Sequence, residues 1–163
     1  MRKIVLALTA ALLLAPALAP AQQKGVELKS TAEVEVAQKD GKGEQVVKRV
    51  EASKANVLPG DTVIFTIGYV NNSDQPATAV VLGNPVPKQM LYLDGSARGE
   101  GARIDFSVDR GASFAPLEKL KFITAAGKER DASAADVTDI RWTLERPLEK
   151  GGKGSVSYGA RVK

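Results

Sequence analysis

Residues 56–87 read NVLPGDTVIFTIGYVNNSDQPATAVVLGNPVP. Leu58-Pro59-Gly60-Asp61 is a turn: proline presets φ at the first central position, and glycine accepts the positive φ that a type II turn needs at the second. Val63, Phe65, Ile67 and Tyr69 then alternate with Ile64, Thr66 and Gly68, the period-2 pattern of a strand with one strongly apolar face. Asn71-Asn72-Ser73-Asp74-Gln75-Pro76 is turn chemistry. Residues 77–83 are almost wholly apolar, which predicts a strand inside a sandwich. Asn84-Pro85-Val86-Pro87 is expected to stop the sheet, because proline cannot donate to a ladder.

Short alternating segments continue on both sides. Upstream, residues 22–31 are polar and expected to be loosely ordered. Val34 and Val36 alternate with Glu33 and Glu35, residues 39–43 form a hairpin loop around Asp40-Gly41, and the return strand covers 45–52. Its charged outer face suits an edge that resists pairing. Downstream, strands are predicted at 90–93, 104–108, 117–124 (Leu120 and Phe122 inward), 140–144 and 154–162. Residues 98–101 read as a glycine-rich turn, 125–139 as small, polar and charged with a short helical turn at 133–137, and 147–152 as a connecting turn. Many short strands with Gly/Pro turns, and no long 3.6-residue apolar period, predict an all-β fold, an antiparallel β-sandwich.

The chain has 163 residues and opens Met1-Arg2-Lys3, followed by an apolar run to Leu14 and by Ala19-Pro20-Ala21. This is the pattern of a secretory signal peptide at 1–21, cleaved before Gln22. The run falls short of the ~20 apolar residues that span a bilayer. The expected mature domain is one unit, 22–163, with an N-terminal strand hairpin at 22–52 and the rest at 53–163. No membrane span is expected after cleavage. Of 23 basic residues two lie in the leader, which leaves 21 against 19 acidic ones. That near balance, without a basic run interleaved with aromatics, argues against nucleic acid. The chain has neither cysteine nor histidine. There is therefore no disulfide, no serine–histidine triad and none of the usual zinc ligand sets.

Val57-Leu58-Pro59-Gly60-Asp61-Thr62, Phe65-Thr66-Ile67, Asn71-Asn72, Pro76-Ala77, Val80-Val81, Asn84-Pro85-Val86-Pro87, Tyr92-Leu93-Asp94-Gly95-Ser96 and Gly152-Lys153-Gly154-Ser155-Val156 together resemble the bacterial conserved repeat domain, domain of unknown function eleven. The likeness spans roughly residues 50–163. It implies an immunoglobulin-like β-sandwich of the kind found in exported and cell-surface proteins. The chain departs from the family pattern in having one copy, an insertion near 97–137, and no C-terminal wall-sorting signal. Within the insertion, Ser107-Val108-Asp109-Arg110-Gly111-Ala112-Ser113-Phe114 is similar to an Asp-box, the structural hairpin of sialidases and other β-propellers. Asp109 can accept local backbone N–H bonds, Gly111 supplies positive φ and Phe114 packs beneath. The rival reading is a calcium loop, for which only Ser107, Asp109 and Ser113 offer side chains.

Other chemical candidates are thin. Asp105 and Asp109, with Glu100 and Glu118 near in sequence, are the residues a carboxylate-pair glycosidase would use, although aspartate is also common in turns. Trp142 is either a sugar platform or core. It shares an apolar face with Ile140 and Leu144, which favours core. Asn71-Asn72-Ser73 matches a glycosylation sequon. Gly151 to Gly154 is a hairpin turn with no helix after it to make a phosphate loop. No residue is assigned to catalysis, a cofactor or a metal. The expected function is that of an exported, non-catalytic module with a structural or interaction role in the bacterial cell envelope, its partner an envelope protein or glycan. The alternatives are a small glycan-active hydrolase on a β-sandwich and a periplasmic chaperone-like protein that donates a strand to clients. Residues 98–103 and 125–136 are the expected partner-binding loops.

Overall fold

The computed structural model describes residues 25–163 except Asp40; the expected leader at 1–21 lies outside the described residues. Eleven strands follow in order: β1 (Val26–Lys39), β2 (Gln45–Glu51), β3 (Thr62–Asn71), β4 (Val81–Pro85), β5 (Met90–Tyr92), β6 (Arg98–Gly99), β7 (Ala102–Ser107), β8 (Lys121–Ile123), β9 (Glu129–Asp131), β10 (Asp139–Leu144) and β11 (Lys153–Val162). Three short 3-10 turns at Ala52–Lys54, Leu117–Lys119 and Ala134–Asp136 are the helical elements among the described residues. All strand pairings are antiparallel. One sheet runs β2-β1-β3-β11-β5, with β6 also on β11; the second runs β4-β10-β7; β8 and β9 form a separate hairpin.

The two main sheets pack face to face as an all-β sandwich. The alternation at 63–69 does what a period of two requires: Val63, Ile67 and Tyr69 are buried, with Phe65 packed against the same core. From β11 come Val156, Tyr158 and Ala160, and from the opposite sheet Leu82, Ile140, Trp142 and Leu144. Tyr158 sits at the centre with no exposed surface. It stacks on Phe65 at 5.1 Å and lies 6.3 Å from Trp142. Its hydroxyl donates to the Pro85 carbonyl of the facing sheet at 2.9 Å, so the buried phenol is satisfied. Burial first, and then the charge of Asp139, push its pKa well above the ordinary tyrosine range.

The turn at Leu58–Asp61 forms as expected. Gly60 has φ +96°, the Asp61 N–H donates to the Leu58 carbonyl at 3.1 Å, and the Leu58 N–H donates to Asp61 Oδ2 at 2.8 Å. Elsewhere several boundaries shift. Residues 22–31 were expected to be loose, but β1 already begins at Val26 and pairs with β3 from Val26↔Asn71 to Val34↔Val63. Residues 77–83 are not one strand. Ala77 makes an isolated bridge to Leu148, Ala79 turns the chain at φ +51°, and β4 starts only at Val81. That strand runs through Pro85 instead of stopping before it. As an edge strand beside β10 alone, it can carry a residue without an N–H on its free side.

The turn expected at 98–101 contains the short strand β6. The strand expected at 117–124 is a 3-10 turn followed by β8, with Leu120 buried and Phe122 half-buried under the Arg130 guanidinium at 4.7 Å. Residues 125–139 contain β9 as well as the expected helical turn. That turn carries a capping box between Ser133 and Asp136.

Candidate functional site

The hairpin after β7 is built around Ser107 and Asp109. Ser107 is fully buried, and its side chain closes the turn from below. Its Oγ donates to Asp109 Oδ1 at 2.7 Å and accepts the N–H of Gly111 at 2.9 Å. Asp109 Oδ1 also accepts the Ser113 N–H at 2.9 Å, and Oδ2 accepts the Ser113 hydroxyl at 2.6 Å. Gly111 has φ +81° and Arg110 φ +60°, an unusual conformation for a residue with a β-carbon. The Ser113 hydroxyl first, then that of Ser107, hold the Asp109 carboxyl down to about 2. Ser107, Asp109 and Ser113 thus do converge, but on one another and on backbone amides. Both carboxylate oxygens are engaged, and among the described residues no group of three or more acidic side chains could hold a metal ion.

Phe114 stacks under the guanidinium of Arg141 at 4.3 Å instead of entering the sandwich core. Arg141 in turn donates through Nη2 to Asp105 Oδ2 at 3.1 Å, and Arg103 Nε reaches the same oxygen at 3.2 Å. Register explains the pair: Asp105 on β7 stands opposite Arg141 on β10, on the face turned away from Trp142. Asp105 is 4% exposed. A carboxylate so buried requires such partners. Nothing in the sequence singles out Arg141, because a lone arginine in an alternating strand reads as solvated.

This arrangement does not make a glycosidase dyad. Asp105 is committed to two arginines and Asp109 to two serines. Neither Glu100 nor Glu118 shares a hydrogen bond or ion pair with either aspartate among the described residues. Trp142 is fully buried between the sheets, so it is core and not a sugar platform. Asn71 of the sequon is also fully buried. Its Nδ2 donates to the carbonyls of Gln75 and Leu148, both at 2.8 Å, and its Oδ1 accepts from the N–H and hydroxyl of Ser73. The amide that a glycan would need is consumed in pinning two loops together.

The expected binding loops are also partly structural. In 98–103, Gly99 lies on the Trp142 ring and Arg98 bonds the carbonyls of Gly95 and Ala97. In 125–136, Arg130 grips Asp136 through both terminal nitrogens at 2.7 Å, which lowers the Asp136 carboxyl to about 2. The open parts are the turn at Glu100 and Gly101 and the hairpin tip at 125–128. A groove of about 520 Å³ lies beside the Asp109 hairpin, lined in part by Pro85, Met90, Arg110, Thr138, Asp139 and Lys163. Lys163 Nζ is used there on the Lys88 carbonyl at 2.8 Å.

Among the described residues no helix is long and apolar enough to cross a membrane. Comparison with protein-family models, curated proteins and solved structures finds no match to this chain.

Proposed function

We propose that the chain is an exported, non-catalytic β-sandwich module of the conserved repeat domain type, with a structural or interaction role in the bacterial cell envelope. The carrying observation is how the polar side chains are spent. Asn71, Asp105 and Ser107 are the buried polar side chains of the described residues, and each is committed to internal partners. Catalysis needs a group left poised for substrate. Here the perturbed acids, Asp109 and Asp136, are perturbed by partners that hold turns together. That is a scaffold, and scaffolds act through the loops they carry. Export is supported by the leader-like pattern at 1–21.

The test replaces the tip at 125–128 with a Gly-Ser linker and repeats cross-linking capture in the envelope fraction. Wider replacement of 98–103 or 125–136 would remove Gly99 from Trp142 or Arg130 from Asp136, and so test folding instead. On this reading N-terminal sequencing finds Gln22 first, the tip variant melts like the parent, and a captured envelope component is lost. Cleavage of a glycan or peptide panel by the purified protein, abolished by Asp105→Asn or Asp109→Asn without unfolding, would overturn it.

A further inference from the structure

We infer that the outer edge of β1 is a self-association surface, on which a second copy of the chain adds its own β1 antiparallel around Leu28. The inference does not depend on where the protein resides. β1 is longer than either of its partners. β3 covers one side from Val26 to Val34, whereas β2 covers the other side only from Glu33 to Lys39. Residues 26–32 therefore form the outermost strand of the sheet, with no strand paired on that side among the described residues.

The hydrogen-bonding direction of this edge follows from the ladder. The Asn72 N–H donates to the Gly25 carbonyl at 2.7 Å, and Gly25 precedes the pair Val26↔Asn71. In an antiparallel ladder alternate residues bond to alternate sides. Gly25, Glu27, Lys29 and Thr31 thus bond towards β3, and Val26, Leu28 and Ser30 present their N–H and C=O groups to the open side. Such a row templates another strand.

Natural edges are blunted by bulges, prolines, inward-pointing charge or edge charges, lysine above all. This one carries no proline and no inward-pointing charge over 26–32, and its edge charges are of both signs. Its charges, Glu27 and Lys29, lie on the outer face, and the side chain between them is Leu28, 50% exposed. A two-fold axis through Leu28 makes the segment complementary to itself. Leu28 meets Leu28 of the second copy, Val26 meets Ser30, and Glu27 meets Lys29 on both sides of the axis. Each hydrogen-bonded pair exchanges two backbone bonds, and the Glu–Lys pairs fall at the non-hydrogen-bonded positions, where side chains are closest. Moving the axis by one residue would oppose two lysines at Lys29 or two glutamates at Glu27, which disfavours both neighbouring registers. The interface is isologous, so it closes at two copies and does not propagate.

The chain has no cysteine, so a single introduced thiol gives a clean report. Opposed Cα atoms at a hydrogen-bonded pair lie about 5.5 Å apart, within disulfide range. Under mild oxidation of the protein as isolated from its producing cells, Leu28→Cys should give a covalent dimer. Thr31→Cys should not, since its copy would lie about 20 Å away at ~3.4 Å per residue. In sedimentation, Lys29→Glu should weaken the dimer about tenfold or more, and adding Glu27→Lys to it should restore the affinity. Circular dichroism of each variant checks that the sandwich is intact. A parent protein that stays monomeric up to millimolar concentration, equal cross-linking at both cysteines, or no rescue by the double charge swap would overturn the inference.

Discussion

Trp142→Ala and Trp142→Phe should separate packing from polarity at the centre of the sandwich. The indole is fully buried, lies 6.3 Å from the Tyr158 ring, and has Gly99 against its edge. Truncation to alanine removes nearly all of that contact, and buried Trp→Ala changes cost about 3–5 kcal/mol. The indole N–H is also buried with no hydrogen-bond partner among the described residues, a defect that costs about 1–3 kcal/mol. Phenylalanine fills most of the site and removes the orphaned donor. The volume it gives up, roughly 40 Å³ at about 24 cal/mol per Å³, costs about 1 kcal/mol. The two contributions nearly cancel, so Trp142→Phe should fall within about 1 kcal/mol of the parent. Urea titration followed by far-ultraviolet circular dichroism measures both, because it does not depend on the lost fluorophore. An alanine variant less than about 1 kcal/mol below the parent would refute the packing argument. A phenylalanine variant as damaged as the alanine one would show that the indole N–H is satisfied.

Gly99→Ala should destabilise by about 1–3 kcal/mol, because its β-carbon would sit 2.8 Å from Trp142 Cδ1 and 3.0 Å from Val156 Cγ1. Gly83→Ala, with nothing within 4 Å, should be neutral or slightly stabilising in the same denaturation assay. Asn71→Ala leaves the Ser73 N–H without its partner and takes one of two donors from the Leu148 and Gln75 carbonyls, which keep the Ala77 N–H and the Ser73 hydroxyl, and should cost about 1–3 kcal/mol; a melting temperature within a degree or so of the parent would count against the pinned-loop reading. For Asp109 the folded pKa is depressed from 3.8 to about 2, so its stabilisation is complete above the unfolded value and fades as pH falls through the folded one. The gap in melting temperature between the parent and Asp109→Ala should therefore be widest above pH 4 and narrow towards pH 2. Asp136 shifts in both proteins and drops out of the difference. A gap that does not change with pH would contradict this, and a calcium-dependent rise in melting temperature would point to a metal loop instead.

The sequence made legible whatever rests on local chemistry. Gly60 had to stand at positive φ after Pro59, and Phe65 and Trp142 had to lie on buried faces because their neighbours alternate. A short helical turn was readable at 133–137, but its capping box came from the structure. What the sequence could not show depended on pairing between distant segments. In 26–31 the alternation of Val26 and Leu28 with Glu27 and Lys29 is short and breaks off at Ser30 and Thr31, and β1 runs unbroken there because β3 offers it a ladder. Arg98 and Gly99 are a strand only through β11, where glycine is needed against an indole 43 positions later in the chain. Within the Asp109 hairpin the local bonds were foreseeable, since they join residues two to four apart. The Arg141 stack was not, because it is set by the register of β7 against β10.

β3 is held on one side by β1 and on the other by β11, and both run opposite to it. Those two flanking strands are therefore parallel to each other, and Val26 and Val162 lie at opposite ends of the sheet. Tension applied between these two points loads the two ladders lengthwise. Their hydrogen bonds share the force together instead of parting one by one. A sandwich wired in this way should resist such a pull as a mechanical clamp. Single-molecule pulling between residues 26 and 162 should rupture in one high-force event, whereas pulling the β1–β2 ribbon apart from residues 39 and 45 should unzip it at low force. Equal forces in the two geometries would dismiss the clamp.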